Sequence, residues 1–304
     1  MKKIALLLVV VMIAAVALVG CGGSQSQEPA NTTNGDQASN ETNTSNDVDF
    51  SKLVQVRGSD TMVNLGQQWA EEFMDQYPEA QIAVTGGGSG TGIAAIINGT
   101  ADMAQSSRKM KNEEMDQAKA NGFELKEFIT GTDGIAIAVH KDNEIESLTL
   151  ENLKDIFTGE ITNWKEVGGK DAAITLYSRE SNSGTYAFFK EFVLKDEEYA
   201  AHSNLMPSTQ AIVEGLKQDV NGIGYIGLAY LSGDIKAVPV AKEAGSEAIL
   251  PSLQTVQGGS YPVARPLFVY TAGEPTGVMK LYMDFIMGTE GQRIVEEVGF
   301  IPNN

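Results

Sequence analysis

Four short segments place a serine or threonine hydroxyl beside glycine or at a strand-to-helix junction. They are Ser59/Thr61, Ser89/Thr91, Ser106/Ser107 and Ser183/Thr185. The start of a helix presents backbone N–H groups without intrahelical partners and the positive end of its dipole. Such ends are natural seats for an oxyanion, and hydroxyls add donors that carry no charge. Arg179 precedes Ser183 by four residues. Its planar fork can donate two hydrogen bonds to one oxyanion. For any single segment, plain helix capping accounts for the same residues, and a lone arginine reads equally as a surface charge. Four such segments, one with an arginine attached, point together to a site for a tetrahedral anion.

Other chemistries fit the sequence less well. Gly87-Gly88-Ser89-Gly90-Thr91 approaches a nucleophile elbow, but threonine stands where that motif needs its last glycine. The two histidines, His140 and His202, lie in no triad context. No glycine-rich segment ends in Gly-Lys-Ser/Thr, and Gly86 to Gly92 does not spell the dinucleotide fingerprint. Metal-ligand spacings of His, Asp and Glu are missing as well. The chain therefore reads as a binding protein with no enzymatic activity, no cofactor and no metal. Its formal charge of −18 argues against nucleic acid as a partner. That charge also repels anions at long range, so an anion site here must work through local dipoles and one or two placed cations.

The elements that must position these residues alternate between short strands and helices. Leu53 to Val56 reads as a strand, followed by a helix with Met62, Leu65, Trp69 and Phe73 on one face. Gln81 to Val84 and Met103 to Gln105 are strands, with a glycine-rich loop from Gly86 to Gly92 and a helix beginning at Ile93 between them. Phe123 to Ile129 and Gly134 to Val139 read as two further strands, the second apolar throughout as a fully buried strand is. Helices are expected over Leu150–Phe157 and Thr209–Leu216 and from Tyr186, with strands at Ala173–Tyr177, Ile223–Ile226 and Leu267–Tyr270. Two helices, Val278–Ile286 and Glu290–Val298, close the chain. This alternation argues α/β with mostly parallel sheet.

At the N-terminus, Lys2 and Lys3 precede an apolar run from Ile4 to Val19, the pattern of a secretory signal and too short for a spanning helix. The run ends in Leu18-Val19-Gly20-Cys21, which resembles the bacterial lipobox; that resemblance implies cleavage before Cys21 and a lipid on its sulfur. Cys21 is the only cysteine, so no intramolecular disulfide forms, and lipidation explains it better than redox chemistry does. Gly22 to Asp47 hold no large apolar or aromatic residue and read as a flexible tether.

From about Leu53 to Pro302 the chain resembles the phosphate-binding proteins of the phosphate-specific ABC transport system. The segments that carry the resemblance are Gly58-Ser59-Asp60-Thr61-Met62, Gly86 to Gly92, Asp102 to Arg108 and Arg179 to Thr185. Ile156 to Trp164 and Tyr261 to Leu267 also look like the family. The resemblance implies a two-lobed, periplasmic-binding-protein-like α/β fold with mostly parallel sheets and crossover strands. Residues 1–20 would be the signal peptide and 21–49 the lipidated cysteine and tether. Residues 50–138 with 262–304 would form one lobe and 139–261 the other. It further implies a lipoprotein monomer on the extracytoplasmic face of a bacterial cell membrane. There it would take up inorganic phosphate and hand it to the permease and ATPase subunits of an importer.

Carried over position by position, the phosphate site would comprise Ser59, Asp60, Thr61, Met62 (through its backbone N–H), Ser89, Ser107, Arg179, Ser183, Gly184 and Thr185. Ser107 departs from the family, many of whose members carry aspartate at that position. A carboxylate there accepts the proton that phosphate keeps near neutral pH, but faces only lone pairs from sulfate. With serine at 107 another acceptor is needed. Asp60, inside the first loop, and Asp133, at the head of an apolar strand, are the two candidates, each with a structural alternative as a cap or turn acid. Arg108 either pairs with one of these acids or faces solvent.

Overall fold

The computed structural model describes residues 48–303. The signal run, Cys21 and nearly all of the tether lie outside the described residues. In chain order, β1 (Leu53–Gly58) leads through a turn at Asp60–Met62 into α1 (Val63–Gln76), then β2 (Gln81–Thr85), α2 (Ser89–Ile97), β3 (Met103–Ser106) and α3 (Asn112–Ala120). The middle of the chain runs β4 (Leu125–His140), β5 (Leu148–Thr149), α4 (Leu150–Thr158), β6 (Thr175–Arg179), α5 (Gly184–Phe192), β7 (Asn204–Met206), α6 (Thr209–Gln218) and β8 (Gly222–Gly227). The rest is β9 (Ile235–Val238), β10 (Val240–Ala241), α7 (Leu253–Gln257), β11 (Ala264–Ala272), α8 (Gly277–Met287) and α9 (Thr289–Val298).

Nine of these strands join in the order β2-β1-β3-β11-β4-β8-β6-β7, with β9 also against β4. The outer triplets, β2-β1-β3 and β8-β6-β7, are parallel. The contacts of β11 and β4 between them are antiparallel. Parallel pairing therefore holds at each flank and gives way in the middle, where β4 passes from one half to the other. Residues Leu125–Gly134 of β4 pair with β11, and Ile135–Val139 pair with β8. The two strands read from sequence over Phe123–Ile129 and Gly134–Val139 are thus one strand. Thr130-Gly131-Thr132-Asp133-Gly134 has the composition of a turn, yet its backbone is held by β11 on one side and by Ile301 on the other.

Each half has its own core. In the first, Leu65, Trp69 and Phe73 of α1 pack with Tyr282, Ile286 and Ile294 of the closing helices. The Trp69 indole donates to the Gly291 carbonyl at 2.8 Å, so the largest apolar side chain there buries no unpaired donor. In the second, Phe157, Trp164, Phe189 and Tyr225 surround the apolar stretch of β4. Burial of one such side chain stabilises by ~1.5–3 kcal/mol.

The start of α2 differs from the sequence expectation. The helix begins at Ser89, so Gly90 and Gly92 lie within its first turn. Gly92 is there because α2 lies directly on β1: a Cβ at this position would come within 2.4 Å of the Arg57 carbonyl oxygen. This close approach brings the first turn of α2 to the end of β1, beside the loop that carries Ser59 and Asp60.

Candidate functional site

The four hydroxyl-bearing segments meet where the two halves of the sheet touch. From the first half, Ser59 donates to Ser107 between their hydroxyl oxygens at 2.9 Å. Ser89 shares a hydrogen with Ser107 at 3.3 Å and accepts the Ser107 backbone N–H at 3.0 Å. From the second half, Gly184 sits directly against these serines; a Cβ on it would lie 2.3 Å from Ser89 Oγ and 2.7 Å from Ser107 Oγ. Thr61 and Thr185 face each other across the seam, with their hydroxyl oxygens 2.8 Å apart. Ser59, Thr61, Ser89, Ser107, Ser183 and Thr185 are all buried.

Two bridges through Asn182 flank this cluster. Gly90 donates its N–H to the Asn182 backbone carbonyl at 2.9 Å, and the Asn182 side-chain Nδ2 donates to the Gly87 carbonyl at 2.9 Å. Gly88 makes room for this contact. It takes φ of +92°, and a Cβ there would come within 2.7 Å of the Asn182 carbonyl.

Arg179 ends β6 and is buried. Its Nη2 donates to Asp60 Oδ2 at 2.7 Å and to the Pro207 carbonyl at 3.0 Å. Its Nη1 donates to Thr209 Oγ1 at 3.1 Å and its Nε to the Met206 carbonyl at 3.3 Å. The other Asp60 oxygen accepts the Gly87 N–H at 2.9 Å. Asp60 thus ties the first loop and the glycine loop of one half to the arginine of the other. Tyr230 strengthens the same link by donating its hydroxyl to the Asp60 carbonyl at 2.7 Å.

Behind Arg179 lies a buried hydroxyl network. The Tyr225 hydroxyl accepts the Arg179 backbone N–H at 3.2 Å and shares hydrogens with Ser178 Oγ at 2.7 Å and Tyr199 at 3.0 Å. Burial pushes the Tyr199 and Tyr225 phenols upward, so both stay neutral donors. Tyr225→Phe keeps the ring in its core but strands these partners. It should cost ~1–2 kcal/mol of stability, read as a lower denaturant midpoint with an unchanged slope.

Several expectations need adjustment. Ser183 takes the plain capping role, accepting the N–H groups of Thr185 at 3.2 Å and Tyr186 at 3.4 Å. The Met62 N–H donates to the Ser59 carbonyl at 3.1 Å, and its side chain lies in the core. Thr91 turns away from the seam and donates to the Gly87 carbonyl at 2.6 Å. Arg108 pairs with neither candidate acid and does not face solvent. It grips Glu114 through both guanidinium nitrogens, at 2.8 and 2.7 Å, anchoring the start of α3.

The sequence reading left Arg265 without a role. It stands opposite Asp133 on the neighbouring strand and is fully buried with it. Its Nη2 donates to Asp133 Oδ2 at 3.0 Å and to Thr185 Oγ1 at 2.8 Å. Its Nε and Nη1 have no hydrogen-bond partner among the described residues, and neither does Asp133 Oδ1. Burial pushes the Asp133 carboxyl above its usual range while Arg265 pulls it back. Arg265 fell within the Tyr261–Leu267 stretch that carries the family resemblance, but only the strand register reveals its neighbour. Together the seam holds two acids, two guanidinium groups, six buried hydroxyls around Gly184, and the N-terminus of α5. The charges cancel in pairs, so donors and dipoles rather than excess cations would bind an anion here.

A family model described as a PBP superfamily domain matches residues 24–290. The phosphate-binding protein PstS of Bacillus subtilis is 33% identical over 305 residues, covering 99% of this chain and 95% of that one. PstS of Pseudomonas aeruginosa is 32% identical over 262 residues, 81% of each chain. Among solved structures, a phosphate ABC transporter substrate-binding protein from Clostridium perfringens, with phosphate bound, is 36% identical. It superposes with a TM-score of 0.75, covering 83% of this chain and all of that one. An ABC-type phosphate transport receptor from Vibrio cholerae is 26% identical, with a TM-score of 0.67, covering 82% of this chain and all of that one.

Proposed function

This chain belongs to the PstS family of phosphate-binding proteins within the PBP superfamily, and from that premise we propose that it captures inorganic phosphate for an ABC importer. The observation that carries the reading is the seam itself, where hydroxyl donors from both halves meet beside a helix N-terminus and a buried arginine. The phosphate contacts are Ser59, Asp60, Thr61, Ser89, Ser107, Arg179, Ser183, Gly184 and Thr185; Met62, whose N–H is already given to the Ser59 carbonyl, shapes the loop from behind. Arg179 has four of its five donors engaged within the protein, and the remaining Nη1 hydrogen serves the ligand.

The two lobes are residues 50–138 with 262–304, and 139–261. The exchange of partners along β4 at Gly134/Ile135 and the return of the chain in β11 at Ala264 support that division to within a few residues. Phosphate touching both lobes favours the closed form by mass action, and the permease recognises that form. Its relatives are binding proteins of transport systems, and the chain acts by binding alone, as a monomer held to the extracytoplasmic membrane face by a lipid on Cys21.

Selectivity over sulfate rests on an acid. We place the acceptor of the phosphate proton at Asp60, because it lies at the seam and its two oxygens keep lone pairs beyond those taken by Gly87 and Arg179. The test is calorimetric titration of phosphate-stripped protein with phosphate in excess sulfate. One-to-one binding unaffected by sulfate is expected, with selectivity reduced in Asp60→Asn. Retained selectivity in that variant would move the acceptor to Asp133. A folded protein that ignored phosphate would sink the assignment.

A further inference from the structure

We propose that Arg265, held by Asp133, is a positioning residue for anion recognition: it donates into Thr185 Oγ1 and so commits the Thr185 hydroxyl hydrogen to the bound phosphate. The inference rests on the phosphate reading above and adds a group to it that makes no contact with the ligand.

A guanidinium is a donor only, whereas a hydroxyl donates one hydrogen and accepts through two lone pairs. With Arg265 Nη2 2.8 Å from Thr185 Oγ1, that oxygen must accept. The one hydrogen of Thr185 is then left to point away from Arg265, toward the seam where Thr61 lies 2.8 Å away. A hydroxyl that accepts from a cation is also a stronger donor, because hydrogen bonds in sequence polarise one another in a low-dielectric interior. Serine or threonine at a helix start is otherwise free to turn its hydrogen toward any acceptor. Arg265 removes that freedom, so an arriving oxyanion meets a donor already aimed at it.

The arginine is itself held by a carboxylate and a ring. Asp133 stands opposite it in the strand register and accepts from the same Nη2 at 3.0 Å. The Phe188 ring covers the guanidinium, with its centroid 5.3 Å away. Thr185 and Phe188 lie three residues apart on α5, so one helix face supplies both the hydroxyl that Arg265 orients and the ring that holds it.

Its location is hard to explain by stability alone. A buried cation beside the N-terminus of α5 opposes the helix dipole, which is positive at that end. Among the described residues, its Nε and Nη1 are buried without acceptors, and Asp133 Oδ1 is buried without a donor. Pairs of this kind are often no more stabilising than apolar residues of similar volume. A bound anion at the seam reverses the sign of that local field.

The test is a double-mutant cycle on phosphate affinity in the full chain, measured by calorimetry, with Arg265→Lys against Thr185→Val and Thr185→Ser. Lysine keeps the charge, but its ammonium lacks the planar guanidinium that lies under the Phe188 ring and fixes the position of Nη2 between Asp133 and Thr185. Arg265→Lys alone should weaken phosphate binding about tenfold. The same loss is expected with serine at 185, which keeps the hydroxyl, and should vanish with valine, which removes it. A purely structural role predicts instead equal losses in all three backgrounds, and that result, or no loss at all, overturns the proposal. If Arg265→Lys does not fold, the paired change Asp133→Asn with Arg265→Gln, which leaves no charge uncompensated, takes its place in the cycle under the same criteria. Wild-type protein that failed to bind phosphate would overturn the function itself, whereas wild-type binding with additive losses overturns only the positioning role.

Discussion

Replacing Arg179 with methionine should weaken phosphate binding by roughly thirtyfold or more, since truncating one member of a buried, hydrogen-bonded charge pair costs ~2–5 kcal/mol. Two losses combine. The ligand loses a cation in a site whose remaining donors are neutral hydroxyls and backbone groups. The halves lose the ion pair between Arg179 and Asp60 that joins them at 2.7 Å. Asp60 is 13% exposed and keeps the Gly87 N–H, so it can rehydrate when its partner is removed. The Met206 and Pro207 carbonyls and the Thr209 hydroxyl each lose a donor as well. Arg179→Lys separates charge from geometry. A single ammonium cannot reach Asp60, Thr209 and two carbonyls at once, so it should fall between wild type and Arg179→Met. Titration calorimetry with a melting curve on each variant reads both effects. A methionine variant that bound phosphate within about threefold of wild type, a difference well under the ~2 kcal/mol expected, would reduce Arg179 to a strap between halves.

The parts of this molecule that were legible in the sequence are those fixed by local chemistry. The face of α1 carrying Leu65, Trp69 and Phe73 shows the helical period because one side of that helix must be buried. The hydroxyls at 59, 61, 89, 107, 183 and 185, which the fold brings together, were visible because the strand ends of an open α/β sheet converge on one crevice. What escaped depends on pairing between distant segments. Thr130 to Gly134 has the residues of a turn and is held extended by β11 and Ile301, both remote in the chain. Arg265 and Asp133 are brought opposite one another by strand register, and no spacing in the chain announces it. Arg108 shows the reverse case: its partner Glu114 lies only six residues on, but the bond forms across the start of α3, whose exact position the sequence pattern does not define.

Gly184→Ala separates folding from binding most sharply. Gly184 opens α5 directly after its cap, Ser183, and has no left-handed backbone requirement. For the helix alone, alanine is the better residue by up to ~1 kcal/mol. For the seam it is forbidden. The new methyl would lie 2.3 Å from Ser89 Oγ, 2.7 Å from Ser107 Oγ and 2.9 Å from Ser89 Cβ. Rotating the Ser89 hydroxyl relieves the first contact, but the Cβ cannot move without the start of α2. Ser89 and Ser107 belong to the first half and Gly184 to the second, so the clash is removed most cheaply by parting the halves. That also pulls Thr185 from Thr61 and Asn182 from Gly87 and Gly90. Phosphate affinity should fall about a hundredfold, the loss of two or three hydrogen bonds to a charged ligand, with the melting temperature unchanged or raised. Gly233 supplies the control, since a methyl added there would meet nothing within 4 Å among the described residues; Gly233→Ala should leave affinity unaltered. Small-angle scattering in saturating phosphate completes the test, because the alanine variant should keep a larger radius of gyration than wild type. A Gly184→Ala protein that compacts and binds like wild type would show that ligand contacts do not require the two halves to meet at Gly184.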